Sequence, residues 1–172
     1  MDTLSETKLE TVTVKASDLN DLLTGASVAM DKGKGAISQL ASVYLTAKDD
    51  GYLTAYATDR YRLIEGKLER EGEGELAECQ LRASDVKNIL ATSLNIILGS
   101  DKFPPYSHLF ELEAKPIDKI MLNPSYLASF DKVPASDGGN IFTFYGENKP
   151  VRVSINHNRI IWRALLMPMK II

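Results

Sequence analysis

The apolar and polar positions of this chain repeat. Residues 14–23 read VKASDLNDLL and residues 81–90 read LRASDVKNIL, with Ala, Ser, Asp and the last Leu in common. A recurring unit of this kind constrains architecture more than any single propensity does. In each copy a short strand, over 11–15 and 78–82, is predicted to run into Ser17 or Ser84, whose hydroxyl suits a helix N-cap. Asp18 and Asp85 follow in the first turn, where negative charge meets the positive end of the helix dipole. Leu19, Leu22, Leu23 and Ala26 recur at helical spacing, as do Val86, Ile89, Leu90 and Leu94, so each helix offers one apolar stripe for burial.

A third copy starts at Ile117, with a strand over 117–122, Asn123 and Pro124 in cap and first-turn positions, then Tyr126, Leu127 and Phe130. Strands over 36–47, 52–58 and 63–69 follow the first helix, with Asp50-Gly51 as a hairpin turn. Strands over 141–145, 151–156 and 159–166 follow the third, punctuated by Gly146-Glu147-Asn148 and His157-Asn158. The middle copy offers only 96–98 and then Phe103-Pro104-Pro105-Tyr106, where two prolines forbid a central strand. Residues 69–78, with Gly72 and Gly74 among glutamates, read as a solvated connector. The expected fold is α+β: βαβββ units whose antiparallel sheets carry helices on one side. One compact domain over 1–172 would contain a full unit at 9–70, an abbreviated βα unit at 71–112 and a second full unit at 113–172.

Composition narrows the function. With 172 residues, 44% of them hydrophobic and 25% charged, the chain can bury a substantial core. A formal charge of −3 makes the molecule as a whole no magnet for phosphate backbones, so any nucleic-acid contact must be local. Cys79 is the single cysteine, which excludes an intramolecular disulfide and fits a reducing cytoplasm. His108 and His157 stand too far apart in sequence for a metal-ligand motif. Residues 1–10 lack the apolar core of a signal peptide, and no apolar run is long enough to span a bilayer. No nucleophile elbow or paired-acid motif is present, and Lys32-Gly33-Lys34-Gly35 lacks phosphate-loop spacing and reads as a helix-terminating loop. We therefore expect no cofactor and no catalysis. Asp59, a lone carboxylate after a strand, reads as a turn cap or a partner for Arg60 or Arg62, and Trp162 as a packing anchor.

Four motifs carry a resemblance. Ala57-Thr58-Asp59-Arg60-Tyr61-Arg62-Leu63 resembles the ATDGHRL segment in the middle domain of bacterial β sliding clamps. Phe103-Pro104-Pro105-Tyr106 resembles the FPDY that closes that domain, and Leu122-Asn123-Pro124-Ser125-Tyr126-Leu127 resembles the NPxYL helix start of the third. Leu166-Met167-Pro168-Met169-Lys170 is similar to the family's MPMR. The motifs occur in family order, and the likeness covers most of 11–170.

The resemblance implies a DNA-clamp fold and a processivity factor of DNA replication. Its partners would be double-stranded DNA, held nonspecifically, and a replicative polymerase and clamp loader, held through short linear peptides. Self-association into a ring is implied, with no membrane partner. In the family the four motifs line a hydrophobic peptide pocket. On matching positions that pocket takes Thr58, Arg60, Tyr61, Arg62 and Leu63 from the first unit, and Pro104, His108 and Leu109 from the middle. Asn123, Tyr126, Leu165, Met167, Pro168, Met169 and Lys170 complete it. Methionines adapt to apolar anchors of varied shape, and Arg62 and Lys170 suit peptide carbonyls or acidic flanks. Arg60 stands where the family has glycine and Tyr61 where it has histidine, which implies a narrower rim.

The chain departs from the pattern in length: the middle unit lacks its hairpins, and there are no counterparts of the family's first domain or of the first half of its third. A family ring has twelve βα units, so six copies contributing two units, or four contributing three, would match it. Because the loop after the first helix faces DNA in the family, Lys32 and Lys34 are the first candidates for phosphate contact, with Lys87 and Lys132 second. The rival reading is a non-ring adaptor or competitor that captures clamp-binding peptides without encircling DNA.

Overall fold

The computed structural model describes residues 12–33, 35–48, 50–71, 74–91, 103, 105–113, 117, 119–136 and 139–170. Three helices, α1 (Ala16–Ser27), α2 (Ala83–Ala91) and α3 (Pro124–Ser129), accompany seven strands. These are β1 (Ser42–Ala47), β2 (Tyr52–Thr58), β3 (Arg62–Glu69), β4 (Leu76–Arg82), β5 (Ile141–Thr143), β6 (Val151–Ile155) and β7 (Ile160–Leu166). All seven form one antiparallel sheet in the order β4-β1-β2-β3-β7-β6-β5.

The sheet is two three-stranded meanders, β1-β2-β3 and β5-β6-β7, joined along β3 and β7. That seam runs from Arg62 opposite Leu166 to Leu68 opposite Ile160. It also explains two departures from the predicted strands. Both edges of β3 and β7 are occupied, so the segments leading into α1 and α3 find partners only beyond the strand ends. Thr13 bridges Glu71 and Met121 bridges Met169, each as an isolated pair where strands over 11–15 and 117–122 were expected. The strand expected over 36–47 begins only at Ser42. Its first part is consumed by turns, with Leu40 N–H donating to Ile37 O and Asp31 N–H to Leu40 O, and Ile37 left exposed. The third unit's first hairpin strand is short, ending at Thr143. The middle-unit segment 96–98, Leu94 and Gly72 lie outside the described residues.

The predicted serine caps are not the caps observed. Helix α1 starts one residue before Ser17, with Lys15 as N-cap and no side-chain cap bond, and the Ser17 hydroxyl donates to Asp18. In α2, Asp85 reaches back to accept from Arg82 N–H at 3.0 Å, the acidic half of a capping box. The carboxylate at the third helical position thus takes the N–H of the residue before the helix, a different donor from those a serine cap would take. At α3 the predicted cap is present: the Asn123 side chain accepts from Ser125 N–H at 2.9 Å, with Pro124 in the first turn.

Side chains alternate across a sheet, so each face has its own chemistry. One face, covered by α1 and α2, holds the main core: Leu22, Leu23 and Ala26 of α1 against Ile64, Leu68, Ala164 and Leu166, with Val86 and Ile89 of α2. Leu90 of the predicted stripe is exposed instead. Phe130 and Val133, just after α3, join the same core. At its centre Trp162 is 2% exposed and wedged between two glycines. A Cβ on Gly25 of α1 would sit 2.4 Å from Trp162 Cη2, and one on Gly66 of β3 would sit 2.4 Å from Cζ3. Only glycine at both positions lets the indole of β7 lie flat between helix and sheet. Gly66→Ala is therefore expected to lower stability by about 1–3 kcal/mol through overpacking, read as a lower denaturant midpoint, with Trp162→Phe restoring part of the loss. An unchanged midpoint for Gly66→Ala would show that the indole is not wedged.

Candidate functional site

The turn joining β2 to β3 organises the site. Asp59, buried, accepts from Tyr61 N–H at 3.0 Å and Arg62 N–H at 2.7 Å, as an Asx-type turn cap does. Its other oxygen takes Arg62 Nε at 3.0 Å and Nη2 at 2.6 Å, a two-pronged pairing that fixes the guanidinium. Arg62 then donates to Ser129 Oγ at 2.6 Å and lies 4.6 Å above the Tyr126 ring, tying the turn to α3. Tyr126 stacks on Tyr61 with centroids 5.6 Å apart. Arg60 completes the turn at φ 77°, a left-handed conformation that side chains with a Cβ rarely adopt. This is the position where the resemblance places a glycine.

On the sheet face opposite the helices, the segment carrying Phe103 and residues 105–110 crosses the seam as a strap. Two carboxylate networks pin it, one on the half-buried Glu78 and one on the buried Glu65. Glu78 accepts from Phe103 N–H and from the Tyr56 hydroxyl, while Glu65 accepts from the Tyr106 hydroxyl at 2.8 Å and pairs with Arg163, its cross-strand neighbour on β7. Burial and the nearby Glu65 push the Tyr106 hydroxyl well above the usual phenol range, so it stays a donor at any physiological pH. Tyr56 is pushed the same way by burial and Glu78. Phe103, Tyr106 and Phe110 interlock edge to face, and Arg163 lies 4.5 Å above the Phe110 ring.

Between turn and strap lies an apolar cleft of about 300 Å³, the size of a small-ligand site. Leu63 and Leu165, directly paired across the seam, belong to a small second core with Phe110 and form its floor. Thr58, Arg60, Tyr61 and Arg62 supply one wall, Phe103, Pro105, Tyr106 and Leu109 the other, and Pro150 and Met167 close the end. Met167 N–H donates to Tyr61 O at 2.9 Å, which brings the end of β7 against the turn.

Of the sequence-predicted pocket residues, Thr58, Arg60, Tyr61, Arg62, Leu63, Leu109, Leu165 and Met167 line this cleft. Tyr126 stands just across Tyr61. His108 is exposed on the short 3-10 turn Ser107–Phe110, where successive side chains fan apart: Leu109 enters the cleft and Phe110 the core beneath it. Asn123 serves as the α3 cap. Pro168, Met169 and Lys170 do not line the cleft, because the bridge from Met169 to Met121 draws the chain past its rim. Pro104 lies outside the described residues. Sequence reasoning missed Phe103, Pro105, Tyr106 and Pro150. The first three stand in or beside the quoted proline motif, and only their aromatic and proline character could have marked them. Pro150 carries no signal short of the β5–β6 turn being placed.

A second, more polar cleft of about 530 Å³ opens on the other side of the turn, between the end of α1 and α3. Lys32 and Lys132 line it, with Asp31, Asp59, Met30 and the shared Arg60, Tyr61, Arg62 and Tyr126. Lys87 is exposed on α2 and lines neither cleft, and Lys34 lies outside the described residues. Among the described residues no cluster of His, Cys, Asp and Glu suits a metal ion, and no helix is long and apolar enough to cross a membrane.

A single antiparallel sheet with α1 and α2 on one face, built from two helix-plus-meander units, is the fold of bacterial DNA sliding clamps. A DNA polymerase sliding clamp from Bacillus subtilis superposes with a TM-score of 0.76 at 12% identity, over 99% of this chain and 67% of that one. The β subunit of DNA polymerase from Streptococcus pyogenes gives 0.78 at 11%, over 99% and 68%. The DNA polymerase III β subunit of Thermotoga maritima gives 0.73 at 13%, over 100% and 68%. This chain is shorter than those clamps. No family model matches the chain and no curated protein matches its sequence, so the likeness lies in the fold.

The left-handed turn gives a direct check. Arg60→Gly is expected to leave stability unchanged or raised, whereas Arg60→Val, which puts a β-branched side chain at φ 77°, is expected to cost about 1–2 kcal/mol. Unfolding midpoints of the two variants read this, and the opposite order would contradict the backbone described.

Proposed function

We propose that the chain is a sliding-clamp-like processivity factor of DNA replication, which tethers a polymerase and clamp loader by receiving their short linear peptides in the apolar cleft. The observation that carries the reading is that cleft, where Thr58–Leu63, from the segment resembling ATDGHRL, meets Leu165 of β7 and Met167 just past it, the latter from the segment resembling MPMR, across the β3–β7 seam. An apolar floor with Tyr61 and Arg62 on the rim suits a peptide with bulky hydrophobic anchors and exposed backbone carbonyls. The protein acts by holding, not by catalysis. Its site is the cytoplasm, where replication partners are found.

Ring formation is supported by the two outer strands. Among the described residues, β4 and β5 lie at opposite edges of the sheet with no strand beyond either. Edge pairing of β5 in one copy with β4 in the next is head-to-tail and closes into a ring when the rotation allows. The helices then face the lumen and touch duplex DNA through nonspecific phosphate contacts, Lys87 of α2 among them. The chain's net charge of −3 requires such contacts to be local.

Two measurements test this. A fluorescent clamp-binding peptide from a bacterial replicative polymerase is expected to bind, and Tyr61→Ala with Met167→Ala, both at exposed rim positions, to weaken it about tenfold or more. Unchanged affinity of that variant would contradict the cleft assignment. The protein is also expected to be retained on circular DNA and lost when the circle is linearised. Equal release from both forms would contradict the ring and leave peptide capture without encirclement.

A further inference from the structure

The two clefts share Arg60, Tyr61 and Arg62 of the turn in their linings, and Tyr61 stacks on Tyr126 of the second, yet their chemistry differs. The second is cationic. Four positive side chains, Lys32, Arg60, Arg62 and Lys132, face it against two carboxylates. Asp59 is committed to Arg62 at 2.6 Å. Asp31 lies 3.7 Å from Arg60 and also accepts from Gly33 N–H. Among the described residues Lys32 and Lys132 have no acidic partner, and they approach from separate elements, the turn after α1 and the turn after α3.

We infer that the partner peptide carries an acidic flank beside its hydrophobic anchors, and that this flank crosses the Tyr61–Tyr126 stack into the second cleft, where its carboxylates pair with Lys32 and Lys132. The inference rests on the proposed peptide-binding reading of the apolar cleft and specifies the ligand of that site. A peptide fits the observations better than a phosphate backbone does. The cleft adjoins the apolar one through the shared Arg60–Arg62 turn, its wall includes Val28 and Met30, and the exposed Lys87 of α2 lies outside it. A peptide has side chains for an apolar wall and carboxylates for the lysines, whereas a duplex backbone offers only the latter.

The test uses the full chain and three labelled peptides. One has the hydrophobic anchors and a Glu-rich flank, the second the same anchors with Glu replaced by Gln, the third the Glu-rich flank with scrambled anchors. The Glu-flanked peptide is expected to bind about three- to tenfold more tightly than its Gln counterpart, as two exposed ion pairs would give, and the advantage to shrink as salt is raised. Lys32→Glu with Lys132→Glu should abolish that advantage, and a Lys-flanked peptide should then bind the variant better than the Glu-flanked one. Equal binding of the Glu and Gln peptides to the unaltered protein would overturn the acidic flank and leave the apolar cleft standing. Failure of all three to bind would overturn the cleft itself. Should the charge reversal abolish retention on duplex DNA while the Glu advantage persists, the lysines are phosphate contacts and the inference falls.

Discussion

Everything else in this molecule depends on the seam between β3 and β7, and the seam depends on Trp162. Two meanders that meet edge to edge have only backbone hydrogen bonds and side-chain packing to keep them from being separate bodies. The indole sits between Gly25 of α1 and Gly66 of β3, so one side chain of the last strand is gripped by the first helix and the first meander together. Burying an aromatic ring of this size contributes as much as any single contact in a core. On the opposite face Glu65 and Arg163, direct partners across the same seam, meet the Tyr106 hydroxyl. The seam is thus fastened from both sides, apolar above and charge-paired below.

The cleft is what remains where that fastening ends. Beyond Leu63 and Leu165 the pairing runs on through Arg62 opposite Leu166 to the bond from Met167 N–H to Tyr61 O, where the Asp59–Arg62 turn begins, and the strap stands across the cleft from it. The walls are held by groups whose loss would leave buried charges without partners, Asp59 with Arg62 and Glu65 with Arg163. Such pairs add little net stability but make the alternatives costly, which is what a preformed binding surface requires. Arg60 is the opposite case: its backbone is held at positive φ while its side chain is largely exposed at the boundary of two clefts.

Much of the fold was legible because helical and strand periodicities were strong in the two full units, and β2, β3, β6 and β7 lie where alternation placed them. The failures share a physical cause. Residues 11–15 and 117–122 have strand-like sequences, but β3 and β7, whose ends they reach, already have a neighbour on each side, and edge availability is a tertiary property that local pattern does not encode. Ser17 and Ser84 looked like caps because the sequence does not fix the first helical residue: both helices begin one residue earlier, at Ala16 and Ala83, which puts each serine inside the first turn. In the site, the turn was readable from Asp59 and Arg62. The lining from Phe103 and Tyr106 required knowing that the strap crosses the seam, and that from Pro150 required placing the β5–β6 turn, which contact across the sheet decides and sequence spacing does not.

The central claim is that the end of this seam is a preformed peptide site. Methyl-resolved NMR of the protein titrated with a clamp-binding peptide tests it most directly. The account predicts shifts concentrated on Leu63, Leu109, Leu165 and Met167, with the core methyls around Trp162 unmoved. Shifts confined to other surfaces, or spread through the core, would contradict it.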